Sequence, residues 1–186
     1  MMSEPRPPEL RADCKRCAAL CCLLLAIDKG PKFAIDKPAG TPCPNLAGHG
    51  CKIHDQLEAK GFSGCVQYDC LGAGQIVVQE IFGGESWRDR PELAAPMAEA
   101  FRLLREVQET RQDLIAAQKL SAAPKIAAAC AALEAKLTPD WQLTRPQDFD
   151  LAGVRAEYQQ LLTQLRAELT PPGATQAPLY PSPRRQ

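Results

Sequence analysis

Cysteine is the residue type whose spacing carries the strongest chemical signal in this sequence. Eight of the nine cysteines fall within the first 70 residues, and this stretch opens with a C-x2-C-x3-C-C pattern. A C-x2-C pair lets two thiolates reach one metal ion from a single turn, so it recurs in zinc and iron–sulfur sites. We therefore predict that the whole N-terminal set ligates metal, zinc or iron, the latter either as an ion or in an iron–sulfur cluster: Cys14, Cys17, Cys21, Cys22, Cys43, Cys51, Cys65 and Cys70.

Dense cysteine can also indicate a disulfide framework, or the burial of unligated thiols as small hydrophobes. Disulfides need an oxidising compartment, and the first 16 residues carry three acidic residues and no clean basic region. The apolar run that follows, residues 18–27, is only ten residues long and lacks a cleavage site of small residues. We therefore expect a cytoplasmic protein with reduced thiols, whose ionisation the neighbouring cations of Lys15 and Arg16 favour.

The adjacent pair Cys21-Cys22 bears on how the thiols are shared. If residues 14–22 are helical, Cys14, Cys17 and Cys21 lie on one face. Cys22 then projects about 100° away, so Cys21 and Cys22 would serve different neighbours or different metals. Eight thiols suffice for two sites of four ligands, or for one such site with a second set of structural or redox thiols.

Histidine and aspartate are weaker candidates in the same region. His49 and His54 flank Cys51, and either imidazole can bind zinc. Eight thiols make both unnecessary, so we interpret them as surface residues or as outer contacts of the site. Carboxylates that could accept hydrogen bonds around a metal site are available on Asp28, Asp36, Asp55 and Asp69.

The cysteine pattern resembles that of the CxxCxxxCC cysteine-cluster family, which is described as zinc- or iron-chelating. The resemblance covers roughly residues 14–75, under half of the chain, and implies metal binding without supplying a reaction. Its motifs are Cys14-x2-Cys17-x3-Cys21-Cys22, then Pro42-Cys43-Pro44, Cys51, Cys65 and Cys70.

Two stretches also look like the cysteine-rich segment that precedes the repeats of some bacterial pentapeptide-repeat proteins. They are residues 33–46 and 61–75. This chain has no run of five-residue repeats after its predicted helices. Any function that depends on such repeats is therefore not expected here.

Three functions remain open at this stage. The first is a metal-binding protein without catalysis, in which the metal is stored, sensed, delivered or used to stabilise the fold. The second is an iron–sulfur enzyme of redox or group transfer, since the motif also resembles one in a flagellin lysine methylase with such a cluster. The third is a thiol redox protein that uses Cys14 and Cys17, although no predicted strand precedes that pair as the redox motif requires.

No catalytic residues are assigned, because the sequence offers no nucleotide-binding glycine loop and no convincing nucleophile with a matching base. With 22 basic and 22 acidic residues the chain has no net charge. Nucleic acid is therefore not an expected partner, because binding phosphates needs a surplus of Lys and Arg. No segment is long and apolar enough to predict a membrane span. The expected partners are the metal ion and a second protein or a second copy docked on the helical half.

The elements that position these thiols are predicted to be mainly α-helical. We expect a small cysteine-rich domain of irregular and helical structure, residues 14–90, followed by a three-helix antiparallel bundle, residues 91–169. Proline-rich tails, residues 1–13 and 170–186, are predicted to be disordered. The bundle helices are expected near residues 92–120, 122–137 and 150–169, where apolar residues recur every three or four positions.

Two local predictions concern the bundle and the segment before it. Cys130 falls on the apolar face of the second helix, between Ile126 and Leu133, and is expected to pack in the core. Asp148 or Asp150 is expected to cap the third helix. Residues 72–82 are predicted to form a short helix ended by Gly83-Gly84, with a strand through residues 76–78 as the alternative.

Overall fold

The computed structural model describes residues 7–170 and confirms a mainly helical chain in which a small cysteine-rich region precedes a helical bundle. The bundle consists of α4, Ala94–Leu120, α5, Pro124–Leu137, and α6, Leu151–Leu169. Short 3-10 turns, Pro91–Leu93 and Pro146–Asp148, precede α4 and α6. The predicted bounds of all three helices agree with the structure to within about two residues.

The bundle core is built from the apolar stripes that the sequence spacing predicts. The buried residues of α4 include Met97, Phe101, Leu104 and Val107; those of α5 are Ile126, Cys130, Leu133 and Leu137; those of α6 are Val154, Leu161 and Leu165. Cys130 is fully buried among them, which confirms its predicted place in the core. Leu169 is half-exposed, because it is the last residue of α6.

The start of α6 is fixed by a side-chain cap. The Asp150 carboxylate accepts a hydrogen bond from the Gly153 backbone N–H at 2.9 Å, which satisfies one of the N–H groups that a helix start leaves unpaired. Asp148, the other candidate, forms an ion pair with Arg145 instead. Between α5 and α6 the rings of Trp141 and Phe149 pack with centroids 5.2 Å apart.

The cysteine-rich region has little regular structure. It contains α1, Leu20–Leu24, the two-stranded antiparallel hairpin of β1, Leu46–Ala47, and β2, Gly50–Cys51, and α2, Ser63–Gln67. A 3-10 turn, His54–Gln56, lies between the hairpin and α2. Next comes α3, Ala73–Ile76, which continues as a π-helical turn, Val77–Ile81.

The helical prediction for residues 72–82 is confirmed, and the strand alternative is wrong. Gly83 and Gly84, with φ values of 60° and 86°, follow the π-helical turn. By contrast, residues 14–22, for which the sequence left a helix open, do not form one continuous helix. Ala18 and Ala19 take left-handed conformations, with φ values of 47° and 53°, so α1 begins only at Leu20.

The two regions share one apolar core, which runs from Ala18 to Leu165. Gln108 of α4 joins them through polar contacts, because its side-chain amide donates to the carbonyls of Glu9 and Leu71 at 3.0 and 2.8 Å. Part of the predicted N-terminal tail is packed as well, since Leu10 is fully buried. The rest of that tail, residues 1–6, and nearly all of the C-terminal one, residues 171–186, lie outside the described residues.

Candidate metal centre

All eight N-terminal cysteines line a single cavity of about 350 Å³. The cavity is also lined by apolar residues, among them Leu20, Ile27 and Phe101, and by the ring of His54. All nine cysteines lie within the described residues, and all are free thiols. Cys130 lies away from this cavity, in the bundle core. The sequence predicts the same division, with eight cysteines in the metal site and Cys130 in the bundle core.

The turn at Ala18 and Ala19 brings the first four cysteines to the cavity. Two successive non-glycine residues in the left-handed region cost roughly 1–3 kcal/mol each, so surrounding contacts must hold them there. The indole N–H of Trp87 donates to the Ala18 carbonyl at 2.9 Å. The side-chain amide of Gln79 donates to the Arg16 carbonyl at 2.9 Å. These bonds fix the chain on both sides of Cys17.

Cys70 is positioned by a third strained residue, Leu71. Leu71 has a φ of 52°, and its backbone N–H donates to the Asp69 carboxylate at 2.8 Å. Its carbonyl accepts the hydrogen bond from Gln108. Among the residues that the structure describes, the three non-glycine residues with positive φ thus each follow a cysteine of the cavity within two positions.

Two glycines allow close packing around the cavity. A Cβ on Gly74 would come within 2.8 Å of the Cys17 Cβ, so α3 can lie against Cys17 only with glycine at this position. A Cβ on Gly64 would overlap the Phe33 ring, next to Cys65. Both contacts are closer than real Cβ atoms tolerate. The backbone approach at these positions therefore requires glycine.

The central cysteines are joined by backbone hydrogen bonds. The Cys43 N–H donates to the Cys22 carbonyl at 2.9 Å, which ties the proline-rich loop to α1. The Leu46 N–H in turn donates to the Cys43 carbonyl at 2.9 Å. Leu46 pairs with Cys51 across the hairpin. These backbone hydrogen bonds and the hairpin pairing therefore place Cys22, Cys43 and Cys51 near one another.

Two neighbouring pairs of cysteines affect each other's ionisation. The interaction with Cys17, helped by the nearby His54 ring and opposed by burial, lowers the pKa of Cys14 to about 6. The interaction with Cys21 likewise lowers the pKa of Cys22 to about 7, with burial opposing and the Lys37 charge assisting. The pKa values of the partner thiols, Cys17 and Cys21, are raised. One thiolate in each pair is therefore favoured near neutral pH.

Backbone N–H groups also point at sulfur. The Ala19 N–H donates to Cys17 and the Ile53 N–H donates to Cys51, and both contacts lower the pKa of the thiol that accepts them. In each case the donor lies two residues after the cysteine. At both sites burial has the opposite and larger effect. Hydrogen bonds to the charged form are one of the ways a protein stabilises a thiolate.

Lys37 is a buried cation beside the cavity that sequence reasoning missed. It is only 3% exposed, and its ammonium donates to the carbonyls of Leu23, Pro38 and Thr41 at 2.9 to 3.2 Å. Burial lowers its pKa, while the charges of Cys43, Cys22 and Cys21 raise it. Three donors on three acceptors satisfy an ammonium group completely. The sequence gives no sign of this role, because isolated lysines are normally exposed.

The weaker candidates divide between the cavity and the surface. His54 lines the cavity and contacts Cys14. His49 contacts the Asp89 carboxylate at 3.0 Å and is not part of the lining. Asp36 and Asp69 accept hydrogen bonds from the backbone N–H groups of Lys29 and Leu71. Asp55 faces His54 at 3.6 Å, and none of the four predicted carboxylates lines the cavity.

The eight cysteines share one cavity, but their side chains are not arranged as ligands around a metal ion. Within residues 7–170, no three Cys, His, Asp or Glu side chains are already arranged around a common point as metal ligands. The structure therefore brings the eight predicted cysteines together in one cavity. A bound ion would require rotation of several cysteine side chains within this cavity.

Comparison with known proteins finds one uncharacterized relative. The chain is 45% identical over 102 residues to the uncharacterized protein YybG of Bacillus subtilis (strain 168). The match covers 54% of this chain and 37% of that protein, so the chain spans little more than a third of its length. No protein-family profile matches the chain, and no solved structure matches it. No helix within residues 7–170 combines the length and apolar composition needed to cross a bilayer.

Proposed function

We propose that this protein binds zinc or iron through its N-terminal cysteines and that the bound metal holds the cysteine-rich region in its folded form. The observation that carries the proposal is the convergence of eight thiols, from four separate stretches of a 57-residue segment, on one cavity. Thiolates are soft ligands, and dense thiolate sets in proteins select zinc and iron–sulfur centres over hard cations.

Inert burial accounts poorly for this arrangement. Buried thiols that act only as hydrophobes need not share a cavity, and Cys130 in the bundle is such a residue. The other eight cysteines instead line one cavity, and they include an exposed member, Cys14. Strained residues beside Cys17 and Cys70 are a further cost that packing alone does not require.

A metal also supplies stabilisation that this region otherwise lacks. Its longest regular helices have five residues, and it is rich in proline and glycine. Structural zinc contributes about 10–16 kcal/mol of apparent binding free energy in small cysteine domains, and that binding is coupled to folding. A bound ion would draw the sulfurs together in the cavity and offset the cost of the strained turns. The helical bundle would then serve as a scaffold for the cysteine-rich region and as a docking surface.

The direct test is metal analysis after oxygen-free purification of the full chain. We expect bound zinc or iron in at least stoichiometric amount, and the colour separates the two, because a zinc protein is colourless and an iron–sulfur protein is brown. Cys14→Ser should lower the metal content. Cys130→Ala, which removes a thiol outside the cavity, should leave it unchanged.

Two results would overturn the proposal. One is a folded wild-type chain that carries no metal and takes up neither Zn²⁺ nor Fe²⁺ when these are added without oxygen. The other is equal metal loss in Cys14→Ser and Cys130→Ala, with both variants folded by circular dichroism. The second result would mean that removing a cavity thiol affects metal binding no more than removing the core thiol of Cys130.

A further inference from the structure

Cys14 is the cavity cysteine that lies at the protein surface. All nine cysteines belong to the described residues, and Cys14 is the exposed one among them. Cys17 and Cys43 are buried, with only 6% and 8% of their surfaces accessible, and the other cavity cysteines are intermediate. Because Cys14 also lines the cavity, it is open both to solvent and to the interior of the site.

The backbone around Cys14 is held from both sides by the helical segment behind it. The Asp13 N–H donates to the side-chain oxygen of Gln75, in α3, at 2.8 Å. The side-chain amide of Gln79, in the π-helical turn, donates to the Arg16 carbonyl at 2.9 Å. Cys14 is therefore presented to solvent by a fixed turn, and its exposure does not require local unfolding.

Cys17 is the buried neighbour of Cys14. Its thiol donates to the Cys14 carbonyl at 3.4 Å, and its side chain occupies the space that Gly74 of α3 leaves open. The two cysteines form the C-x2-C pair, whose spacing lets both sulfurs reach one ion. An ion that is taken up at Cys14 is thus one turn of the chain away from a buried thiol.

Access separates Cys14 from the other candidate ligands during metal transfer. Under reducing conditions thiolates carry soft cations, and a new thiolate takes over such a cation only if its sulfur reaches the ion. A buried sulfur such as that of Cys43 cannot approach an ion that its carrier still holds. The other exposed residues of the described lining are Ala12, Ala26 and His54. Of these, His54 has a side chain that binds metal, but it offers an imidazole and no thiolate.

The charges beside Cys14 indicate the kind of carrier. Lys15 and Arg16 follow it in the chain, and both are exposed. Asp13 precedes it and is partly buried, and its carboxylate accepts a hydrogen bond from the Lys15 backbone N–H at 3.1 Å. The surface next to the thiol therefore carries more positive than negative charge, which favours an anionic carrier such as the metal complex of a small, acidic thiol.

We propose that Cys14 is the exchange ligand of the cavity, the residue that takes Zn²⁺ or Fe²⁺ from a small anionic thiolate complex and returns it by the reverse step. This inference rests on the proposed metal binding and adds the route by which the ion enters. In the step, the Cys14 sulfur forms a bond to the ion and one bond from the ion to a carrier sulfur breaks. The proton of the Cys14 thiol passes to the departing thiolate, and neither the metal nor any sulfur changes oxidation state.

The initial rate of Zn²⁺ uptake tests the proposal. The full chain, stripped of metal and reduced, is mixed with Zn²⁺ carried by glutathione, and protein-bound zinc is measured over time. Cys14→Ser should lower the initial rate about tenfold, because the entering sulfur is missing. Cys43→Ala, which removes a buried cavity thiol, is the matched control and should keep the rate within about twofold of wild type. Cys14→His, which restores a zinc ligand at the exposed position, should recover part of the rate.

Two further measurements use only the wild-type chain, so they do not depend on the folding of variants. Zn²⁺-loaded protein is treated with less than one equivalent of N-ethylmaleimide, and the modified cysteine is identified by mass spectrometry. The first label should fall on Cys14, because the reagent approaches from the same side as the carrier. The rate of uptake from glutathione should fall as NaCl is raised, because salt screens the attraction of Lys15 and Arg16 for an anionic carrier.

The outcomes separate this inference from the proposed function. A wild-type chain that takes up no Zn²⁺ removes both. Equal rates in Cys14→Ser and Cys43→Ala, or a first label on another cavity cysteine, overturn the exchange role of Cys14 and leave metal binding in place. A rate that does not depend on salt overturns the choice of an anionic carrier. A slow rate confined to Cys14→Ser, with partial recovery in Cys14→His, supports the proposal.

Discussion

The cysteine-rich region and the helical bundle reach their folded forms by different physical means. In the bundle, helices of 27, 14 and 19 residues bury continuous apolar stripes. Residues 14–70 contain no helix longer than five residues, and residues 18–71 include three non-glycine residues in left-handed conformations. Burial of apolar surface accounts for the bundle. The cysteine-rich region needs a further source of stability, and convergent thiols offer one.

The two regions are nevertheless coupled. The apolar core is shared, and the hydrogen bonds of Gln108 run from α4 to Glu9 and to the strained Leu71 beside Cys70. Gln108 is in turn held by the buried guanidinium of Arg111, which also pairs with Glu134 of α5. The bundle therefore provides a rigid surface against which the cysteine-rich region is ordered. The comparison predicts which perturbations should affect one region and which should affect both.

Metal removal should have the largest effect and should be confined to one region. With a chelator and a reductant present, amides of residues 14–70 should lose most of their protection from hydrogen exchange, since metal binding and folding are coupled. Amides of α5 and α6 should keep theirs, because their core contains no metal ligand. Hydrogen-exchange mass spectrometry resolves the two sets. Equal loss in both regions, or no change in residues 14–70, would contradict the comparison.

Truncation of the bundle core should lower the stability of the protein without changing the metal bound per folded molecule. Leu104→Ala removes a fully buried side chain of α4 and should lower the free energy of unfolding by about 2–5 kcal/mol. Urea denaturation measures this effect. Leu143→Ala, at a position that is 83% exposed, is the matched control and should change stability by less than about 0.5 kcal/mol. Metal bound per folded molecule should be the same in both variants.

Loss of the bridging amide should affect both regions. Gln108→Ala leaves the carbonyls of Glu9 and Leu71 without their partner and should cost about 1–3 kcal/mol of unfolding free energy. Because Leu71 adjoins Cys70, the same variant should also release metal to a competing chelator faster than wild type. Thr163→Ala on exposed α6, which removes a hydroxyl bonded only within its own helix, serves as the control. A metal release rate unchanged by Gln108→Ala would show that the coupling is structural only.

Removal of the buried cation should have the smallest effect and should act on the cavity rather than on the bundle. Lys37→Met keeps most of the side-chain volume but deletes the charge that faces Cys43 and Cys22. We expect the affinity for the bound metal to fall about tenfold, or ~1.4 kcal/mol, since the cavity thiolates lose a counter-charge. Competition with a chromogenic chelator measures this, with the exposed Lys60→Met as control. Equal affinities in the two variants would contradict it.

The sequence predicts the bundle well because its determinants are local. Apolar residues at helical spacing specify α4 to α6, place Cys130 in their core and leave Asp150 where it caps α6. The eight candidate ligands could be selected for a similar reason, since their spacing distinguishes them from Cys130. These features depend on residue type and period and need no knowledge of distant contacts.

The turns that assemble the cavity could not be predicted in the same way. Nothing in the residues Ala18 and Ala19 indicates a left-handed conformation, which alanine adopts only when distant groups such as Trp87 hold it there. The burial of Lys37 depends on three carbonyls contributed by two segments. The helix considered for residues 14–22 is interrupted at Ala18 and Ala19 for this reason. The three cysteines still line the same cavity by a different route.

X-ray absorption at the edge of the bound metal is the most direct test of the central claim, because it reports the ligand atoms themselves. For the full chain purified without oxygen, we predict a first shell of about four sulfur atoms, at roughly 2.3 Å if the metal is zinc. This shell should persist in Cys130→Ala. A first shell made of oxygen and nitrogen alone, or a protein without any metal to measure, would contradict the account.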